Sequence, residues 1–187
     1  MLVKYDENPL EIKNISHTVT LVPRLEYSVN LLDEMIEILN GRQSELKETN
    51  QDFRFDFDES DKSQVDSLKL EFLVLFSLDV LLEIKNRMKR ISHLGNIPEV
   101  LPSSIPMIRT VSAQLFDVVP MCSQKLSEIS VHLGSIVLDS AALTTARFDF
   151  SRSNNESADL LNEVKLMVHS KLSKQYPNLD FFKLCNT

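Results

Sequence analysis

From Ser63 to Leu94 apolar residues recur without a single Gly or Pro. The stretch is long enough for more than eight helical turns at ~3.6 residues each. Between Leu68 and Phe76 almost every side is apolar, which is the pattern of a helix surrounded by neighbours. Past Ser77 the pattern becomes one-sided. Leu73, Leu81, Ile84, Met88 and Ile91 share one face, opposite Asp79, Glu83, Asn86, Arg87 and Arg90. Asp79 is therefore expected on a solvated face, and Glu83 stands four residues before Arg87, a favourable helical pair. Ser63 with Asp66 resembles a capping box, and Gly95 reads as the stop. These signals predict a central helix over 63–94 that two or three other helices must cover.

The flanking segments supply those helices. Pro23 suits the first position of a helix, and Leu25, Val29, Leu32, Ile36 and Leu39 then fall at three-to-four spacing. Leu46 extends the seven-residue series Leu25, Leu32, Leu39, the period of a coiled-coil seam, so the helix is expected over 24–48, through Asn40-Gly41. Residues 1–22 form a lead-in whose β-branched Thr18-Val19-Thr20-Leu21-Val22 suits either an extended piece or a short helix. Beyond Gly95, Pro98, Pro102 and Pro106 disfavour helix before each proline, which predicts a linker over 96–106. A third helix is expected over 107–147, kinked at Pro120, with Leu126, Ile129, Leu133, Ile136 and Leu143 on its stripe. Gly134 costs that helix about 1 kcal/mol relative to Ala, and a close approach of a neighbouring helix would explain its presence. Ser153 and Glu156 form an S-x-x-E capping box for a last helix over 154–175, which Pro177 stops. The tail, with Phe181, Phe182 and Leu184, is expected to dock on the bundle.

The fold class predicted is all-α, an antiparallel bundle of four long helices. Residues 23–187 form one domain, built as hairpin 23–95, linker 96–106, hairpin 107–176 and tail 177–187. The tetrapeptide RFDF occurs at Arg54–Phe57 and again at Arg147–Phe150. At that offset Ile36 also matches Ile129, and Gly41 matches Gly134, so each half reads as helix, RFDF loop, helix. The alternation Phe53-Arg54-Phe55-Asp56-Phe57 has period two, which suits short extended pieces that could pair. The plainer reading has these phenylalanines plugging the ends of the bundle.

Composition narrows the chemistry. An apolar content of 43% is sufficient for a core without disulfide or metal. A net charge of −7 argues against a general nucleic-acid binder. Cys122 and Cys185 lie far apart and outside any zinc-type spacing, so free thiols in a reducing compartment are expected. The first residues lack the apolar run of a signal peptide, and Glu71, Asp79 and Glu83 interrupt the best candidate for a membrane span. A cytoplasmic or nuclear location is expected, with the Asn14 and Asn155 sequons unglycosylated. Three glycines, Gly41, Gly95 and Gly134, cannot build a phosphate-cradling loop or a nucleophile elbow. No zinc or calcium spacing occurs, so neither metal nor cofactor is expected. Asp56, Asp58, Glu59 and Asp61 read as a solvated acidic loop rather than a catalytic pair.

Two features bear on binding. Lys85, Arg87, Lys89 and Arg90 gather at the end of the central helix, where they complement its dipole or bind an acidic ligand. His132-Leu133-Gly134-Ser135 resembles the phosphoacceptor segment of histidine phosphotransfer domains, four-helix bundles with an exposed His followed closely by Lys and Gly. Here the Lys is missing and the Gly comes early, while the helix of His93 is expected to end at Gly95, two residues on. The function expected is a non-catalytic interaction subunit of a multiprotein assembly, a scaffold or adaptor. Its candidate contacts are Leu25, Leu32, Leu39, Leu46, Phe53, Phe55 and Phe57, meeting partner helices or a second copy of the chain. An acidic-ligand module and a phosphorelay domain are the alternatives.

Overall fold

A computed structural model of the chain describes residues 9–91, 97–143 and 149–185. Five long helices dominate: α1 (Pro9–Thr49), α2 (Lys62–Lys89), α3 (Ile97–Leu115), α4 (Pro120–Leu143) and α5 (Phe150–Gln175). A 3-10 turn (Gln51–Arg54) follows α1, and a short α6 (Phe181–Cys185) closes the chain. No strand occurs among the described residues. The described residues form an all-helical fold, as the periodicities predict.

Helices α1 to α4 form a ring in which each touches the next and α4 returns to α1. Cross-helix pairs fix the directions. Asn50 meets Glu71 and Asp33 meets Lys85, so α1 and α2 run antiparallel. Arg87 meets Ser103 between α2 and α3, and Arg24 meets Asp139 at 2.6 Å between α1 and α4. Helix α5 lies outside the ring over the α2–α3 groove, and α6 touches α2 and α5. Helix α2 is thus covered by α1, α3 and α5, and its buried residues, including Leu68, Phe72, Val74, Phe76, Leu78, Val80 and Leu81, point in several directions. An all-round apolar stretch requires such a sheath.

Several boundaries depart from the sequence reading. Helix α1 begins at Pro9, not beyond Pro23, which lies inside it; residues 1–8 are outside the described region. Helix α2 starts at Lys62 because the Asp61 carboxylate caps the Ser63 N–H, in place of a Ser63–Asp66 box. Helix α5 starts at Phe150, four residues early, because Asp149 accepts from the Arg152 N–H and so outcompetes Ser153 as the cap. The stop at Gly95 and His93 lie outside the described residues.

The largest difference is the proline-rich segment, which is helical from Ile97 rather than a linker. Pro98 sits in the first turn, where its missing N–H is not needed. Pro102 and Pro106 each forfeit one bond, at about 3 kcal/mol apiece. Burial outweighs this, because Ile97, Leu101, Ile105, Met107, Ile108, Val111 and Leu115 are all buried, each contributing roughly 1.5–3 kcal/mol. The Ser103 and Ser104 hydroxyls, buried on the same helix, donate to the Val100 carbonyl.

Nor is there one kinked helix through Pro120. Helix α3 ends at Leu115, whose carbonyl accepts from the N–H groups of Val118 and Val119, and Pro120 opens α4 after the reversal. Across the turn the Ser112 hydroxyl donates to the Ser123 carbonyl and the Ser123 hydroxyl to the Ser112 carbonyl, both at 2.7 Å. This reciprocal pair holds α3 and α4 as an antiparallel hairpin, the most extensive helix contact in the fold. Because α5 packs on α2 and α3, it does not form the expected hairpin with α4. An ideal Cβ at Gly134 meets nothing within 4 Å, so close helix approach does not account for that glycine.

Candidate functional site

The seam residues of α1 turn inward. Leu25, Leu32, Leu39 and Leu46 are all buried in the core, so the seven-residue period is used by the chain's own α2 and α4. Phe53 and Phe57 pack against that core and lie edge to face, with ring centroids 6.2 Å apart. They plug the end of the bundle. Phe55 between them is 90% exposed. The first RFDF is a 3-10 turn and coil rather than an extended strand, since the Phe55 and Asp56 N–H groups both return to the Asp52 carbonyl. Of the second RFDF, Arg147 and Phe148 lie outside the described residues, and Phe150 begins α5.

The basic cluster at the end of α2 is divided. Lys85 pairs with Asp33 of α1, and Arg87 reaches Glu156 of α5 at 3.1 Å and the Ser103 hydroxyl at 2.9 Å. The expected Glu83–Arg87 pair gives way to these contacts between helices. Lys89 and Arg90 alone of the four are exposed. Asp79 is not on a solvated face: its side chain is only 9% exposed and accepts from Lys171 of α5 at 2.7 Å. A fifth helix over the polar side of α2 is what changes its surroundings.

The acidic loop has local work. Hydrogen bonds from the Ser60 hydroxyl and N–H hold Asp58 below the usual carboxylate range, and those from Ser63 do the same for Asp61. Asp58 thus fixes a turn and Asp61 caps α2, consistent with structural rather than acid–base roles.

Sequence reasoning missed a buried polar cluster where α1 ends, α2 begins and α5 ends. Glu71 is fully buried. Its Oε2 accepts from Asn50 Nδ2 at 2.9 Å and from the Tyr176 hydroxyl at 2.8 Å. Asn50 is itself held by the Ser67 hydroxyl at 2.5 Å. The Arg54 guanidinium sits 5.8 Å from the Tyr176 ring centroid, a cation–π contact. Burial, then the adjoining Glu71, push the Tyr176 phenol well above its ordinary range. Glu71 Oε1 and Arg54 Nε are buried without a hydrogen-bond partner among the described residues. The available signal was a carboxylate set inside the apolar run Leu68 to Phe76.

His132 is half-buried, with Nε2 3.3 Å from the Arg24 carbonyl and its ring edge-on to Tyr27 at 5.8 Å. One ring nitrogen is therefore already engaged by backbone. His169 lies edge-on to Phe72, and burial together with Lys165 lowers its pKa below the ordinary value. Cys122 is a buried free thiol, its pKa raised by that burial. Among the described residues no group of His, Cys, Asp and Glu could hold a metal ion, and no helix is long and apolar enough to cross a membrane.

The outer face of the α3–α4 hairpin carries a long open groove of about 1120 Å³. Phe116 and Val131, 68% and 70% exposed, lie on its wall, with Ala113 and Pro120 between them. Leu138 continues the Val131 stripe seven residues along α4, and Met121 is exposed beside the turn. Arg109, Asp117 and Glu128 are the charged groups on the rim. A search of protein-family models and a search of solved structures each found no match to the chain.

Proposed function

We propose that the protein is a non-catalytic interaction subunit of an intracellular assembly, and that the α3–α4 face carries the contact. The observation behind this reading is the grouping of Phe116, Val131, Leu138 and Met121 on one hairpin. Isolated exposed apolar residues are ordinary, whereas a shared face of this kind marks an interaction surface. The occupant is an amphipathic helix of a partner protein. Its apolar stripe rests along Phe116 and Val131, and a basic residue on its edge meets Asp117, since Glu128 is already paired with Lys125 at 3.7 Å. The net charge of −7 favours encounter with such a partner. The leucines of α1 are excluded from the contact by their burial.

The test is affinity capture with the wild-type chain and with Phe116→Asp/Val131→Asp, followed by identification of what is held. Both residues are exposed, so the variant keeps its circular dichroism spectrum. A partner containing a basic-edged amphipathic helix, held by the wild type and lost by the variant, supports the reading. Retention by the variant overturns it. A wild-type dimer in light scattering that the variant abolishes would assign the face to a second copy of the chain instead.

A further inference from the structure

The first RFDF loop and a hollow beside α2 have complementary chemistry, and the fold leaves both unmatched. We propose that they join two copies of the chain, the Phe55 ring of each seating in the hollow of the other. Phe55 is the most exposed large apolar side chain among the described residues. Its backbone is nonetheless pinned: the Phe55 and Asp56 N–H groups return to the Asp52 carbonyl, and Phe53 and Phe57 pack on the core to either side. Presenting the ring to a partner therefore costs little further ordering. Asp52 and Asp56 flank it, both exposed and in no ion pair among the described residues. Asp58 and Asp61, by contrast, are engaged by Ser60 and Ser63.

The hollow has the opposite character. It measures about 270 Å³ and lies where α2, α3 and α5 meet. Phe72, Leu73 and Phe76 of α2 supply its apolar surface, with the two rings parallel and their centroids 6.5 Å apart. Gln114 of α3, Lys165 of α5 and Lys69 complete the lining, and no carboxylate takes part. Lys69 has contacts within the fold. Lys165 lies mid-helix, where no helix terminus accounts for it, and enters no ion pair among the described residues. An aromatic ring between two carboxylates thus matches an aromatic surface beside an ammonium group. Lys69 and Phe76 come seven and fourteen residues after Lys62, which places the hollow ~10–20 Å along α2 from the helix start that the loop leads into. Ring and hollow therefore lie toward the same end of α2. In a two-fold pair, the commonest arrangement of identical chains, the contact forms twice. The pairing is independent of the α3–α4 contact.

Sedimentation velocity of the full chain up to ~1 mM is the test, with circular dichroism showing that each variant is folded. The wild type is expected to dimerise within that range, as suits a contact smaller than a standard interface. Phe55→Ala, Lys165→Glu and Asp52→Lys/Asp56→Lys are each expected to raise the dissociation constant roughly tenfold or more. Lys165→Glu combined with Asp52→Lys/Asp56→Lys in one chain restores the charge match and should regain the dimer. Phe116→Asp/Val131→Asp should dimerise as the wild type does, which separates this contact from the α3–α4 face. The proposal is overturned if the wild type stays monomeric at ~1 mM, if Phe55→Ala or Lys165→Glu associates unchanged, or if the combined reversal regains nothing. A dimer lost in Phe116→Asp/Val131→Asp, or assemblies larger than the pair, would overturn it equally.

Discussion

Replacing Tyr176 by Phe removes one oxygen from the centre of the buried polar cluster and leaves the ring in place. That ring keeps its contacts with Phe181, at 5.5 Å between centroids, and with Arg54. What is lost is one of the two donors to Glu71 Oε2, at 2.8 Å, leaving Asn50 alone to serve a fully buried carboxylate. A hydrogen bond to a charged group contributes about 1.5–3 kcal/mol, and the loss is not offset by water in a site that water does not reach. For a chain of this size each kcal/mol shifts Tm by ~2–4 °C, so Tyr176→Phe is expected to lower it by ~3–12 °C. Urea unfolding followed by far-ultraviolet circular dichroism gives the free energy directly, with an unchanged m value showing that the end states are the same. In a Glu71→Gln background the same change should cost less, because the orphaned group is then neutral. A coupling of at least ~0.5 kcal/mol is the expected signature. The pH dependence follows from the raised phenol. Folding favours its neutral form, so the stabilisation is whole below the ordinary value of 10.0 and is lost as pH rises above it. Tyr176→Phe should flatten that alkaline decline. A variant within ~0.5 kcal/mol of wild type, with no coupling to Glu71, would refute the reasoning.

Further outcomes follow from the same packing. Gly41 and Gly134 both lie within helices with nothing within 4 Å of an added Cβ, so Gly41→Ala/Gly134→Ala should gain roughly 1–2 kcal/mol in urea unfolding. Leu39→Ala, in the core, should cost ~2–5 kcal/mol, whereas the exposed Phe55→Ala should stay within ~0.5 kcal/mol. The His169 ring should titrate below its ordinary 6.5 by NMR. Because folding favours neutral His169, its contribution is present above that value and is lost as pH falls through the lowered one.

The helical class was legible because the apolar periods of α1, α2, α4 and α5 are long and strong, and the burial of Leu126, Ile129, Leu133 and Ile136 follows the stripe seen in sequence. Helix α3 was hidden because proline rules describe local cost, while its seven buried apolar residues act through tertiary packing. Asp79 and Arg87 were misjudged for a related reason: a helical wheel divides a face into polar and apolar but cannot show that α5 will lie across it. The α1 seam illustrates a further limit. Periodicity announces that Leu25, Leu32, Leu39 and Leu46 need a partner helix, and is silent on whether the same chain provides it. The α3–α4 face is not legible in the sequence, since Val131 and Leu138 are a single seven-residue step and Phe116 lies in the turn beyond the end of α3.

Hydrogen exchange of the chain with and without its captured partner tests the α3–α4 contact most directly. The account predicts slowed exchange of amides in α4 around Val131 and at the α3–α4 turn around Phe116, with the outer faces of α1 and α5 unchanged. Protection confined to α1 or α5, with the α3–α4 hairpin unaffected, would contradict it.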